Sequence, residues 1–196
     1  MSGFSIQLKG LSEVLDKLDT AKLKNDISDE FTAFGLDVVR DAKQGVPVDE
    51  GLLKNAIGSI SEQIGDTVGV TIFVNADYAA FVEFGTRKFA AAYVATLPQD
   101  WKTFAAQYKG KTSGTFQELV ARIVKWVSRK GISGTYSVKT QKRTGNKLDK
   151  YAEDYKVAYV IARSILINGI KPHPFLFPAF EKNRVQLIKN LENLLK

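Results

Sequence analysis

The chain has 196 residues, 44% of them hydrophobic and 25% charged, which is enough for one domain with a real core and a sizeable insertion. It contains no cysteine, so disulfide staples and thiolate chemistry are excluded. The net charge of +7 is unevenly placed: residues 87–156 hold 15 Lys and Arg against 5 Asp and Glu, and the remainder holds 13 against 16. An acidic frame therefore carries a basic block. Such a block fits contact with phosphate, contact with an acidic protein surface, or a merely solvated face. The opening MSGFSIQLKG lacks the apolar core of a secretory signal, and no apolar run is long enough to span a bilayer. A soluble protein that is not secreted by the usual route is expected.

Along the chain, Phe4, Ile6 and Leu8 alternate with polar residues and predict a short strand. Ser12 is placed to cap a first helix, with Leu11, Leu15 and Leu18 at helical spacing. A longer helix is predicted from Leu23 to Gly45, because Ile27, Phe31, Phe34, Val38 and Ala42 recur at three- and four-residue steps. Gly45 and Pro47 end it. In PVDEGLLKNAI (47–57), Asp49 can accept backbone N–H bonds across a tight turn or cap a short helical turn. Ile57–Ile64 and Thr67–Asn75 then read as a hairpin joined at Gly65-Asp66, with Val68, Val70, Ile72 and Val74 alternating without a break. The long apolar helix stripe is the natural cover for one face of that sheet.

After Thr86 the composition turns polar and basic. Phe116, Val120, Ile123 and Val127 make a helical stripe with Trp126 beside it, and Gly131–Lys147 reads as a basic loop. A helix from Asp149 to Asn168 sets Tyr155, Ala158, Ala162 and Ile165 on one side, with Gly169 as its stop. KPHPFLFPAF (171–180) starts extended, since each proline biases its predecessor away from the α region. A closing helix follows in which Phe180, Leu187, Leu191 and Leu194 share a face, supported by Ile188 and Leu195. The expected class is α+β: a small antiparallel sheet packed by a long helix, with a mostly helical insertion and a C-terminal helix. The whole is read as a single domain over residues 1–196, with 87–170 as the basic insertion.

Groups for catalysis are sparse. The one histidine, His173, sits between prolines, and neither the Walker nor the dinucleotide-binding glycine pattern occurs. Asp49 and Glu50 could pair on a divalent ion, or be a turn acid with a solvated neighbour. Glu83, inside YAAFVEFGT, would have a raised pKa if buried. It is either a general acid, or a structural group bonded to Arg, Lys or backbone donors. Tyr78, Phe81 and Phe84 lie three residues apart and form one stripe on a helix, as core or subunit interface. No catalytic, metal-binding or cofactor-binding residue is assigned, and no cofactor is expected.

Three segments taken together, PVDEGLLKNAI (47–57), DYAAFVEFGT (77–86) and PHPFLFPAF (172–180), give a more specific signal. Their order resembles a family of minor structural proteins of long-tailed bacteriophages, described as tail-component, tail-completion or neck (head–tail joining) proteins. The matching positions are Pro47, Asp49, Gly51, Leu53, Tyr78, Ala79, Glu83, Gly85, Thr86, Pro174, Phe175, Pro178 and Ala179; Glu50 stands where threonine is commoner. The resemblance implies a non-enzymatic virion subunit, made in the host bacterial cytoplasm. It also implies a homo-oligomeric ring, sixfold before twelvefold, beside the DNA channel at the head–tail junction. The implied partners are other neck, connector, tail-terminator or tail-tube proteins. The basic loop with Lys139, Lys142, Arg143 and Lys147 would meet a neighbouring protein or the genomic DNA. Two competing readings are a sequence-independent nucleic-acid-binding protein using the 87–156 block, and a metal-dependent nuclease using Asp49, Glu50 or Glu83.

Overall fold

A computed structural model describes residues 4–8, 21–64, 67–110, 114–132 and 150–194. The expected first helix, the Gly65-Asp66 turn and the basic loop with Lys139, Lys142, Arg143 and Lys147 lie outside the described residues. The chain divides into two compact units, one of Met1–Gly85 with Lys171–Lys196, the other of Thr86–Ile170.

In the first unit, β1 (Phe4–Leu8), β2 (Ile57–Ile64) and β3 (Thr67–Val74) form an antiparallel sheet in the order β1-β3-β2. Ile57 faces Val74 and Ile64 faces Thr67 across β2 and β3, while Phe4 faces Val74 and Leu8 faces Val70 across β1 and β3. The alternation in β3 does what a period of two requires: Val68, Val70, Ile72 and Val74 are all buried. Helix α1 (Ala21–Gly45) covers that face, packing on β2 and β3, and runs along the C-terminal helix α8 (Leu176–Leu194).

The α1 stripe is the centre of this unit. Ile27, Phe31, Phe34, Val38 and Ala42 are all buried, and each large apolar side chain removed from water contributes about 1.5–3 kcal/mol. Phe34 meets Phe180 of α8 edge-to-face, with ring centroids 5.5 Å apart. Gly35, in mid-helix, lets α1 lie close against the sheet: a Cβ there would stand 2.6 Å from Val70 Cγ2 and 3.2 Å from Ser59 Cβ. Polar pairs edge the α1–α8 seam. Asn190 donates to Glu30 (2.7 Å), while Lys182 (2.8 Å) and Asn183 (3.1 Å) donate to Asp41. On α8, Phe180 and Leu187 are buried and Leu191 and Leu194 half-buried, but Ile188 is exposed and does not support that face.

The second unit is helical over its described residues: α4 (Arg87–Val94), α5 (Gln99–Ala106), α6 (Phe116–Lys130) and α7 (Lys150–Asn168). The pair α6–α7 closes over Val120, Val124, Val127, Ala158 and Ala162. Here the predicted α6 stripe and the small residues of α7 meet. Tyr155, expected on the same side as those alanines, is largely exposed at the margin. Helices α4 and α5 carry no strong sequence pattern and were not anticipated. Trp101 is buried on α5, and an edge-to-face ladder runs from it through Phe104 to Tyr108.

Helix α6 is capped by its own neighbours. Thr115 Oγ1 accepts from the Glu118 N–H, the Glu118 carboxylate accepts from the Thr115 N–H, and Gly131 closes the far end in the left-handed conformation. The two ends of the unit are tied together: Thr86 N–H donates to the Ile170 carbonyl (2.9 Å), and Ile170 N–H donates to Thr86 Oγ1 (2.7 Å). Gly169, with φ of 87°, permits this tie, because any Cβ there would run into the Thr86 carbonyl.

Candidate assembly site

The first motif is a turn leading into a one-turn helix, α2 (Leu52–Asn55). Gly51 is its N-cap and sits at φ 78°, a left-handed conformation that favours glycine. Leu53 is buried, whereas Pro47 and Asp49 are exposed. The turn is joined to the sheet where Asn75 N–H donates to the Ala56 carbonyl (2.9 Å). Tyr78, at the N-cap of the next helix, is 44% exposed, so it does not share the burial of Phe84. Partial burial and the nearby Glu50 charge raise its phenol pKa, which puts the first and second motifs within electrostatic reach.

The second motif forms α3 (Ala79–Phe84), with Ala79, Ala80, Glu83 and Phe84 buried. Glu83 is fully buried. Its Oε2 accepts from the N–H groups of Phe175 (2.8 Å) and Leu176 (2.9 Å), and its Oε1 from the N–H of Phe177 (3.0 Å). These donors lie at the start of α8, where the first N–H groups of a helix have no intrahelical partner and carry the positive end of its dipole. The third motif now has a physical reading. His173–Pro174 leads in extended, Leu176 and Phe177 give their N–H groups to Glu83, and Pro178, inside the first turn, has no N–H to satisfy. A second contact pins the approach, as His173 N–H donates to the Val82 carbonyl (2.7 Å).

Burial pushes the Glu83 carboxyl above the ordinary carboxylate range. The three backbone N–H bonds oppose this, as does His173 more weakly. Three donors on two oxygens match a carboxylate acting purely as an acceptor. A general acid must reach the substrate atom to which it gives its proton. Glu83 has no exposed surface, and both of its oxygens are occupied by main-chain donors. Of the two roles left open by the sequence, its geometry is that of a backbone acceptor. Gly85 follows with φ 73° and ψ −168°, a region essentially restricted to glycine, and turns the chain out of α3.

The structure thus brings Glu83, Phe175 and the turn before Pro178 together and places Gly85 beside them. Thr86 serves in the tie that closes the second unit. The sequence reading missed the Thr115–Glu118 capping box, visible as T-x-x-E, and Gly35, visible as an isolated glycine in a helical stripe. Among the described residues, no group of three or more His, Cys, Asp or Glu side chains is placed to hold a metal ion, and no helix is long and apolar enough to cross a membrane.

In comparison with protein families, residues 9–85 fit the HK97-gp10-like model, described as "Bacteriophage HK97-gp10, putative tail-component". Comparison with curated proteins and with solved structures gives no match. The family match stops at Gly85, the last residue of the first compact unit before the second begins at Thr86. Pro174–Ala179 lies beyond the match but belongs to the same unit, bonded to a residue inside it. Residues 9–85 of this chain are thus similar to the HK97-gp10-like family, described as a bacteriophage tail component.

Proposed function

We propose that this tail component is a subunit of a ring at the phage head–tail junction, where it completes or joins the tail and lets DNA pass. The observation that carries the reading is the family match over residues 9–85, whose most chemically suggestive residue, Glu83, is consumed in holding the fold. The ring is sixfold or twelvefold, and its neighbours are connector, neck, tail-terminator or tail-tube proteins. The first unit is the family domain completed by the C-terminal helix, and Thr86–Ile170 is an insertion within that single domain. A rigid core with loops free to dock suits such a subunit. The basic loop with Lys139, Lys142, Arg143 and Lys147 docks on a neighbouring protein in preference to DNA, since a strongly basic lumen would hold the genome back during ejection.

Native mass spectrometry and electron microscopy test this reading, on the purified protein alone and mixed with tail-less heads or head-less tails. A ring, free or formed on either particle, supports it. A protein that stays monomeric and binds neither particle overturns it. A second reading, sequence-independent nucleic-acid binding, is favoured by the 16 Lys and Arg against 5 Asp and Glu in Thr86–Ile170. It requires the isolated monomer to bind DNA with a steep salt dependence.

A further inference from the structure

Helix α7 is apolar on two sides. Val157, Ala158, Ile161 and Ala162 pack in the α6–α7 core. Yet Tyr155, Tyr159, Val160, Leu166 and Ile167 are exposed, Val160 at 67% and Ile167 at 61%. Helix α6 has no such second face, since its exposed positions include Gln117, Glu118, Arg122, Lys125 and Arg129. A helix hydrophobic around its girth belongs in an interior, and a contiguous exposed apolar face marks an interaction surface. The exposed charged residues of α7 are Lys156 and Arg163, both cationic. The partner should therefore be apolar and acidic.

The first unit carries such a feature. The turn before α2 and the first residue of that helix leave Val48 62% and Leu52 63% exposed. Asp49 and Glu50 lie between them, and the half-exposed Tyr78 is near enough to feel the Glu50 charge. The charge balance of the two units is also complementary: 12 Lys and Arg against 16 Asp and Glu in the first, the reverse excess in the second.

We infer that the outer face of α7 on one copy receives the Val48–Leu52 turn of a second copy, apolar residues meeting apolar residues, with Lys156 and Arg163 facing Asp49 and Glu50. The inference rests on the ring-subunit reading and gives the ring its contact. Knob and face are different patches, so the contact is heterologous, repeating from copy to copy and closing when the rotation allows. Duplex DNA would engage the two cations but leave Val160 and Ile167 exposed, so a protein surface is the better match.

The absence of cysteine makes the test direct. Leu52→Cys and Val160→Cys are made as separate full-length proteins, mixed with tail or head particles lacking the protein, and treated with a short bis-maleimide. Ile60→Cys, exposed on β2, replaces Leu52→Cys in the control mixture. Docking raises the effective thiol concentration to the millimolar range, so the Leu52/Val160 mixture should give at least about tenfold more covalent dimer than the control. Particle-bound protein with no excess over the control overturns the inference and leaves the ring-subunit reading standing. Excess dimer without particle binding supports the contact and counts against the junction. No binding and no excess overturns both.

Discussion

The two units start their principal helices by opposite means. In Thr86–Ile170, α6 is capped by Thr115 and Glu118, residues in and next to its own first turn. In the other unit, α8 is capped by Glu83, which stands 92 positions before Phe175 in the chain. A local cap secures one helix. A remote cap secures a helix and, with it, the packing of α3 and of the whole α1–α8 seam. The second motif and the closing PFLFPA segment are therefore two halves of one device. In sequence the second unit, Thr86–Ile170, lies between those two segments, and its own ends are tied by the Thr86–Ile170 hydrogen bonds.

This contrast is sharpest under Glu83→Ala. Three main-chain donors lose their acceptor, two of them in buried bonds, and each buried donor left unpaired costs about 1–3 kcal/mol. Against a typical domain stability of about 5–15 kcal/mol, that is enough to unfold the first unit partly or wholly at ambient temperature. Denaturant unfolding followed by circular dichroism should show it, and a loss as small as that of a surface variant would break the comparison. Gly85→Ala comes next. Its φ and ψ lie where a Cβ is strained, at a cost on the order of 1–3 kcal/mol, read as a lower denaturation midpoint.

Thr115→Ala should cost about 1 kcal/mol and act locally. The N-terminal amides of α6 should exchange faster while those of α8 keep their protection, and a matching loss in α8 would show that the cap is not local. The smallest effect is electrostatic. Hydrogen bonds from Lys182, then Asn183 and Arg40, hold the Asp41 carboxyl at about 2, below its ordinary 3.8. A depressed carboxylate stabilises the fold above its unfolded pKa, and that contribution is lost as pH falls through the folded value. Between about pH 4 and pH 2, the wild type should therefore lose more melting temperature than Asp41→Asn, as a pH series of thermal melts would show.

Much of the first unit was legible because its signals are periodic and local. The stripe from Ile27 to Ala42 and the alternation from Val68 to Val74 each specify an element and its buried face. The partner of Glu83 was not legible. The sequence narrowed the residue to a structural acceptor or a general acid, but backbone N–H groups have no side-chain signature and the donors are far along the chain. In the second unit, α4 and α5 were missed because eight-residue helices with scattered apolar positions barely exceed the nucleation length. Val48 and Leu52 were read as part of a family turn, and their exposure became visible only in three dimensions. Ile188 was grouped with the apolar face of α8, but the helix leaves it exposed beside the buried Leu187.

The most direct measurement of the central claim, that the second and third motifs form one scaffold, is amide hydrogen exchange in the wild type and in Glu83→Gln. The glutamine keeps the shape but turns one acceptor into a donor facing a main-chain N–H. The account predicts that the Phe175, Leu176 and Phe177 amides exchange slowly in the wild type and lose protection together with α3 in the variant. Unchanged protection at those three amides in Glu83→Gln, or a loss that spares α3, would contradict it.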